Sequence, residues 1–195
     1  MSEKGEITKS KITKAAIKLI FQKGIESTSI ADIVKETGVA KGSIFFHFPD
    51  KQTLVSEALK QYENNFFIFL EKSLSGNTPG ERLINFFKSV SKSHRERNYT
   101  GGCIFGNTAL EMGDKNEVFA TIVSEVFKKW VNKLKEVIEE AIKANEIRKD
   151  IQPDVLASTI VAVLEGGIML SRLEKNGKPL EKSTSAFVKI LDIRA

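Results

Sequence analysis

Apolar residues recur along most of the chain at the three- and four-residue spacing of amphipathic helices. In the first such stretch, Ile12, Ala16 and Leu19 fall on one face, and lysine side chains fall on the other. No stretch alternates apolar and polar residues with the period of two that marks a half-buried strand. The pattern therefore predicts an all-α protein of about nine helices.

Capping residues, glycine and proline mark where the predicted helices begin and end. Ser29 and Asp32 have the spacing of a capping box at the start of the second helix, and Gly38 is suited to the positive φ that ends it. Pro49 stops the third helix, and Asp50 caps the fourth. The predicted helices cover approximately residues 8–23, 29–37, 41–47, 51–74, 81–96, 101–112, 116–144, 153–174 and 183–192.

The second and third predicted helices are short and are joined by a tight turn that contains glycine. With a basic helix before them, they have the plan of a helix-turn-helix DNA-binding motif. Charge favours the same interpretation, because the first 51 residues hold nine lysines against six acidic residues. Three of the chain's five net positive charges therefore lie there, which is compatible with binding to a polyanion.

Residues 29–54, SIADIVKETGVAKGSIFFHFPDKQTL, closely resemble the signature of the tetracycline-repressor (TetR/AcrR) family, and the resemblance extends upstream to Ile12. It implies a helix-turn-helix DNA-binding domain at residues 1–50 and a larger ligand-binding and dimerisation domain at residues 51–195. It also implies a sequence-specific regulator of transcription, expected to be a homodimeric repressor. Such a repressor binds a palindromic double-stranded DNA operator and leaves it when a small-molecule effector binds.

The resemblance also implies which side chains meet DNA, because the third helix of the family enters the major groove. Candidate base-facing or groove-lining residues are Lys41, Gly42, Ser43, Phe46 and His47, and the residues nearest the DNA backbone are Thr8, Thr28, Phe45 and Lys51. Lys41 can donate to guanine or to a phosphate. Lys51 lies in a first helical turn, where the helix dipole disfavours a cation, so it is either a phosphate ligand or a solvated surface charge.

Two residues depart from the family pattern. Phe45 stands where a tyrosine hydroxyl usually contacts a phosphate, and Ala40 replaces a frequent serine. Loss of a serine cap costs about 1 kcal/mol, so we expect the third helix to be less firmly ordered before DNA binds. Phe45 and Phe46 can still contact thymine methyl groups, or one of them can pack at the junction with the fourth helix.

The stretch from Val155 to Leu173 is apolar on most of its circumference and includes the small residues Gly166 and Gly167. A helix that is apolar all round is buried on more than one side. Homodimerisation through this helix explains the pattern, and a central core helix in a monomer is the alternative.

Beyond the motif, the sequence names no effector. Side chains that can line a cavity, or can equally form plain core, are Tyr62, Phe66, Phe86, Phe87, Phe105, Trp130 and Met169. Asn107, Glu111 and Glu165 lie in or beside apolar stretches, where an unpaired polar group is costly, so they are candidates to orient a ligand. Salt bridges or helix capping are the alternative explanation for the two carboxylates.

The chain carries no phosphate loop and no Cys/His cluster at metal-ligand spacing, so we expect no cofactor, no metal and no enzymatic activity. Its single cysteine, Cys103, is interpreted as a buried inert thiol rather than a redox switch. Because neither a signal peptide nor an apolar stretch of membrane-spanning length is evident, we expect a cytoplasmic location. The rival to ligand sensing is a DNA-bound protein of the same fold that recruits a protein partner.

Overall fold

The computed structural model describes residues 3–194, and all regular secondary structure in that range is α-helical. The helices are α1 (Glu3–Lys23), α2 (Ile30–Thr37), α3 (Lys41–His47), α4 (Lys51–Ser73), α5 (Pro79–Glu96), α6 (Ile104–Met112), α7 (Glu117–Lys143), α8 (Pro153–Glu174) and α9 (Lys178–Leu191). The predicted all-α fold of about nine helices is confirmed for the described residues.

The helix bounds agree best with prediction where a cap or a proline marks them. α3 and α8 have the predicted ends, and α2 begins directly after its capping residue Ser29. α6 begins later than predicted, because Gly101 and Gly102 adopt positive φ values of 76° and 69°. α9 begins earlier, because Pro179 in its first turn has a φ already suited to a helix.

The helices form two compact units. Of the described residues, 3–65 and 104–124 make up the first unit, and 66–103 and 125–194 make up the second. α4 and α7 each begin in the first unit and end in the second. The functional boundary predicted between residues 50 and 51 remains a prediction, since this grouping follows packing rather than DNA binding.

The first unit holds the two short helices against α1. Ile12, Ala16 and Ile20 of α1 are buried, as the apolar face of that helix requires. Ile33 of α2 and Ile44 of α3 are buried as well. All three helices therefore share one apolar core, and this core fixes the orientation of α3.

The second unit is built around α8, which packs extensively on α9. At Gly167 the two backbones approach closely, since a Cβ there would lie 3.1 Å from Leu180 Cα. Among the described helices only α8 has the length and apolarity of a membrane span, and 44% of its most apolar stretch is buried inside the fold. A buried core helix meets the same criterion, so α8 by itself does not indicate a membrane span.

Candidate nucleic-acid interface

The start of α2 is fixed by the capping box that the sequence predicted. Ser29 Oγ accepts a hydrogen bond from the Asp32 amide at 3.1 Å, and the Asp32 carboxylate accepts one from the Ser29 amide at 2.8 Å. Lys23 Nζ lies 2.8 Å from the same carboxylate. The Lys23 ammonium, followed by the Ser29 donors, holds the pKa of Asp32 well below its usual range. Asp32 therefore stays charged and ties the end of α1 to α2.

The turn between α2 and α3 depends on Gly38. Its φ is 69°, in the left-handed region, and its amide donates to Val34 O at 2.7 Å. The Thr37 hydroxyl donates to Ile33 O at 2.6 Å and accepts from the Val39 amide at 3.1 Å. These bonds satisfy the backbone of a turn that brings α3 directly after α2.

Recognition helix candidate α3 is anchored by its apolar side. Ile44 is fully buried, and Phe48, which follows the helix, is 2% exposed. Ala40 supplies no side-chain hydrogen bond at the N-terminus, as the missing serine predicts. The predicted DNA-facing residues of this helix lie at the surface: Lys41, Gly42, Phe45 and Phe46 are exposed, and Ser43 and His47 are partly exposed.

The exposed side of α3 carries aromatic rings as well as charge. Phe46 is 80% exposed, and its ring lies edge-on to the His47 ring with centroids 5.3 Å apart. Phe45 is 39% exposed, and Lys41 Nζ lies 5.8 Å from the centroid of its ring. His47 Nδ1 is buried and has no hydrogen-bond partner among the described residues. The surface thus presents one cation beside two phenyl groups.

The residues predicted near the DNA backbone differ in their surroundings. The Thr8 hydroxyl donates to Lys4 O at 2.9 Å in an exposed part of α1. Thr28 is 1% exposed, and its hydroxyl donates to Gly24 O at 2.6 Å, so this side chain is turned inward. Lys51 is partly exposed at the start of α4, where its Nζ donates to Glu26 O at 3.2 Å.

The start of α4 carries the cap that the sequence predicted. The Thr53 amide donates to Asp50 Oδ1 at 2.6 Å. This bond is the main cause of the lowered pKa of Asp50. α4 therefore begins at a fixed point immediately after α3.

Glu111, predicted to orient a ligand, has another role in the structure. Its Oε2 accepts from the Ile25 amide at 2.9 Å, and its Oε1 accepts from the Glu26 amide at 2.7 Å. Lys115 adds a 2.8 Å ion pair to the Glu26 side chain. We therefore assign Glu111 to the junction between α6 and the α1–α2 loop. No local sequence signal marks this contact, because 86 residues separate Ile25 from Glu111.

Of the other ligand candidates, Tyr62, Phe105 and Asn107 belong to the first unit. Tyr62 packs between two aromatic rings, with centroid distances of 5.1 Å to Phe21 and 5.5 Å to Phe105. Phe105 is fully buried, and Asn107 is half-buried. This cluster has the character of aromatic core with one amide beside it.

The second unit contains Phe66, Trp130, Glu165 and Met169. Trp130 is 3% exposed, its ring lies 5.0 Å from that of Phe66, and its Nε1 has no acceptor among the described residues. Glu165 Oε1 is likewise buried without a donor. Burial raises the pKa of Glu165, and a hydrogen bond with the Cys103 thiol partly opposes this shift. Met169 is 54% exposed, so it does not line an enclosed space within one chain.

Phe86 and Phe87 are buried members of the apolar core of the second unit. They therefore fit the plain-core alternative.

His94 lies beside Arg97 at a buried position of the second unit. It is 7% exposed, and Arg97 Nη2 lies 3.2 Å from both of its ring nitrogens. Burial, assisted by the Arg97 charge, lowers the pKa of His94 to about 4. The part of the chain that the structure describes contains no group of three or more His, Cys, Asp or Glu side chains that could hold a metal ion.

Comparison with known proteins finds matches over both parts of the chain. Residues 12–58 match the family model of bacterial regulatory proteins of the tetR family, and residues 79–187 match that of the tetracyclin repressor-like C-terminal domain. The chain is 26% identical over 177 residues to the HTH-type transcriptional repressor DhaR of Mycobacterium sp. (strain GP1), covering 88% of this chain and 85% of that protein. It is 29% identical over 187 residues to the HTH-type transcriptional regulator LmrA of Bacillus subtilis (strain 168), covering 94% and 96%. Among solved structures, a TetR transcriptional regulator from Chloroflexus aurantiacus J-10-FL has a TM-score of 0.89 and 29% identity, with 96% of each chain covered.

Proposed function

Because the chain belongs to the TetR family of bacterial transcriptional regulators, we propose that it is a repressor whose dimer leaves a palindromic operator when a small-molecule effector binds. Its activity as a DNA-binding regulator of transcription follows from the family. The repressing action, the effector and the operator symmetry belong to the proposal. One observation supports it most directly: α3 is anchored by Ile44 and Phe48 and leaves its opposite side free for a DNA groove.

In this proposal each α3 enters the major groove of one half-site. A two-fold symmetric dimer places its recognition helices about 34 Å apart, one turn of the double helix. Lys41 contacts a base edge or a phosphate within the groove, and Lys51 contacts a phosphate beside it. The cytoplasm, where chromosomal DNA is accessible, is the corresponding location.

The dimer is proposed to form through α8. Within one chain, Val155, Met169, Leu170 and Leu173 remain between 41% and 76% exposed on this helix. Together with Gly166 they recur at helical spacing along one face of α8. A Cβ added at Gly166 would meet nothing within 4 Å. An apolar stripe with room at its centre fits the same stripe of a second copy.

The effector is proposed to bind in the second unit, at the polar atoms that the fold leaves unsatisfied. Trp130 Nε1 is an unpaired donor, and Glu165 Oε1 is an unpaired oxygen of a carboxyl group whose pKa is raised by burial. Because an unpaired buried polar atom costs about 1–3 kcal/mol, a ligand that pairs with either atom gains that energy on binding. This favours an effector with a hydrogen-bond acceptor for the indole and a donor for the carboxyl group.

The proposed signal passes along α4. This helix starts at Lys51, immediately after α3, and its 23 residues extend for about 34 Å at 1.5 Å per residue. A shift of α4 on effector binding changes the spacing of the two recognition helices, and the operator is released. An effector-bound structure with unchanged spacing between the recognition helices would contradict this mechanism.

Selection of bound duplexes from a random pool, repeated with a panel of metabolites, tests the proposal. We expect one palindromic sequence to be enriched and one class of metabolite to abolish the enrichment. If a sequence is enriched and no metabolite reverses the enrichment, the proposed DNA binding stands and ligand sensing fails. That result would favour a DNA-bound protein that recruits a protein partner.

Two lysine variants separate base reading from phosphate binding. We expect Lys41→Ala to weaken operator binding and to alter base preference, because its ammonium group lies on the exposed side of α3. We expect Lys51→Ala to weaken binding to all sequences about equally. It should also reduce the slope of the logarithm of the binding constant against the logarithm of the salt concentration by about one for each half-site. Binding isotherms over a salt series measure both effects, and undiminished binding by both variants would reject the proposed contacts.

A further inference from the structure

We infer that Phe46 determines operator specificity by packing on a thymine methyl group, so that each half-site carries a thymine opposite Phe46, near the C-terminal end of α3. The inference rests on the proposed function and adds to it the chemistry of one base position. Its ligand is the 5-methyl group that distinguishes thymine in the major groove.

The exposure of Phe46 is the first observation. Its ring is 80% exposed, whereas Phe48, two residues further on, is 2% exposed and belongs to the core. A large apolar side chain on the surface gains free energy when a partner covers it, at about 25 cal/mol per Å² of apolar area removed from water. On a helix that enters a DNA groove, the partner is the groove itself.

The geometry around Phe46 leaves room for that partner. Gly42 and Phe46 are four residues apart, so they lie on the same face of α3. A Cβ added at Gly42 would meet nothing within 4 Å. Edge-on contact with His47, at 5.3 Å between ring centroids, supports the Phe46 ring from one side. Gly42 and Phe46 thus form an open apolar surface, called here the Gly42–Phe46 surface.

The chemistry of the groove selects thymine for the Gly42–Phe46 surface. A phenyl ring offers neither a hydrogen-bond donor nor an acceptor, so it cannot pair with the polar edges of guanine, adenine or cytosine. The thymine methyl is the apolar group that the major groove presents. Lys41 and Ser43 remain available for hydrogen bonds to base edges. Within α3, these two residues would make the polar base contacts and Phe46 the apolar one.

The test replaces thymine by deoxyuridine, one position at a time, in the operator obtained by selection. This change removes only the methyl group. For the wild-type chain, we expect one position per half-site at which the replacement weakens binding about fourfold, the value for one methyl group taken out of water. Replacement in both half-sites is expected to cost about fifteenfold.

Three variants complete the experiment. Phe46→Ala is expected to bind the thymine and uracil operators equally, and Phe46→Leu is expected to retain part of the discrimination, because it keeps an apolar contact. Leu110→Ala is the matched control, since Leu110 is an exposed apolar residue of the same unit, at 85%, outside the helix-turn-helix. It should discriminate as the wild type does. Circular dichroism verifies that each variant is folded.

Two results would overturn the inference: an operator without thymine opposite α3, or a uracil penalty of the same size in wild type and Phe46→Ala. Failure of the proposed function has a different signature, because no sequence would then be enriched by selection. The two failures are therefore distinguishable.

Discussion

At the scale of single residues, the interface candidates divide into side chains buried in the fold and side chains exposed at the surface. Thr28 is buried and hydrogen-bonded to Gly24, while Phe45 and Phe46 stand at the surface. Local sequence identifies the motif but does not separate these cases. Burial of Thr28 follows from how the α1–α2 loop folds back on itself, which no cap or periodicity encodes.

Phe45 offers a test of the missing hydroxyl. We expect Phe45→Tyr to tighten binding to operator and non-specific DNA alike, by about tenfold for each chain of the dimer, because a new hydrogen bond to a charged phosphate is worth about 1.5 kcal/mol. Binding isotherms on both duplexes at one salt concentration measure the gain. Leu110→Tyr is the control for a phenol added at an exposed residue outside the helix-turn-helix, and an unchanged affinity of Phe45→Tyr would place position 45 away from the phosphates.

His94 predicts a pH dependence of stability. Its pKa is about 4 in the folded protein, below the ordinary 6.5, so the folded state prefers the neutral ring. The stabilisation is complete above the unfolded value and is lost as pH falls from 6.5 through 4. We expect the free energy of unfolding to fall by about 2 kcal/mol between pH 7 and pH 5 through this group.

Urea unfolding of wild type and His94→Asn at the two pH values measures the His94 contribution. The variant should lose less stability on acidification, because it lacks the titrating ring. The lowered pKa values of Asp32 and Asp50 contribute equally in both proteins, so they do not affect this difference. If both proteins lose the same free energy of unfolding, His94 does not contribute to the pH dependence of stability.

At the scale of elements, the α1–α2 loop depends on α6. The two Glu111 oxygens satisfy the Ile25 and Glu26 amides, and Gly24 adopts a φ of 83° beside them. The positive φ favours glycine here, and a Cβ at Gly24 would lie 2.7 Å from Glu111 Oε2, so a larger residue would displace the Glu111 carboxylate. The loop before the helix-turn-helix is therefore joined to α6 by two hydrogen bonds, which the Ile25 and Glu26 amides donate to the Glu111 carboxylate.

Glu111→Ala tests this junction. Removing the carboxylate leaves the part-buried Ile25 amide without its acceptor, at a cost of about 1–3 kcal/mol, and exposes the Glu26 amide to water, so we expect weaker operator binding and faster exchange at both amides. Hydrogen exchange followed by NMR resolves these amides individually. Asp114→Ala removes an exposed acid nearby and should change neither measurement. Unaltered exchange in Glu111→Ala would show that the junction does not hold the loop.

Local sequence was sufficient for helices that begin at a recognisable cap. Ser29 with Asp32, and Asp50 before α4, predicted caps that the structure contains. The start of α6 was misplaced because the paired glycines 101 and 102 were included in the helix, although both adopt positive φ. Glu111 could not be assigned, because its partners are distant in sequence and are backbone atoms without a residue signature.

At the scale of the whole molecule, the exposed stripe of α8 predicts the oligomeric state. We expect Leu173→Glu to convert the dimer into monomers, because two copies of the stripe would bring like charges into an apolar contact. Sedimentation velocity over a concentration series measures the change, and operator affinity should fall with it. Leu110→Glu, a charge placed at an exposed apolar residue of α6, is the control. Persistence of a Leu173→Glu dimer would locate the interface elsewhere.

In the proposed dimer, the same stripe of α8 links repression to the abundance of the protein. When two chains must associate before an operator is held, occupancy at low abundance rises with about the square of the chain concentration. Halving expression then lowers occupancy about fourfold rather than twofold. Under this proposal, the exposed apolar surface of Val155, Met169 and Leu173 makes the regulated gene sensitive to regulator dosage, with a threshold set by the strength of the contact between the two chains.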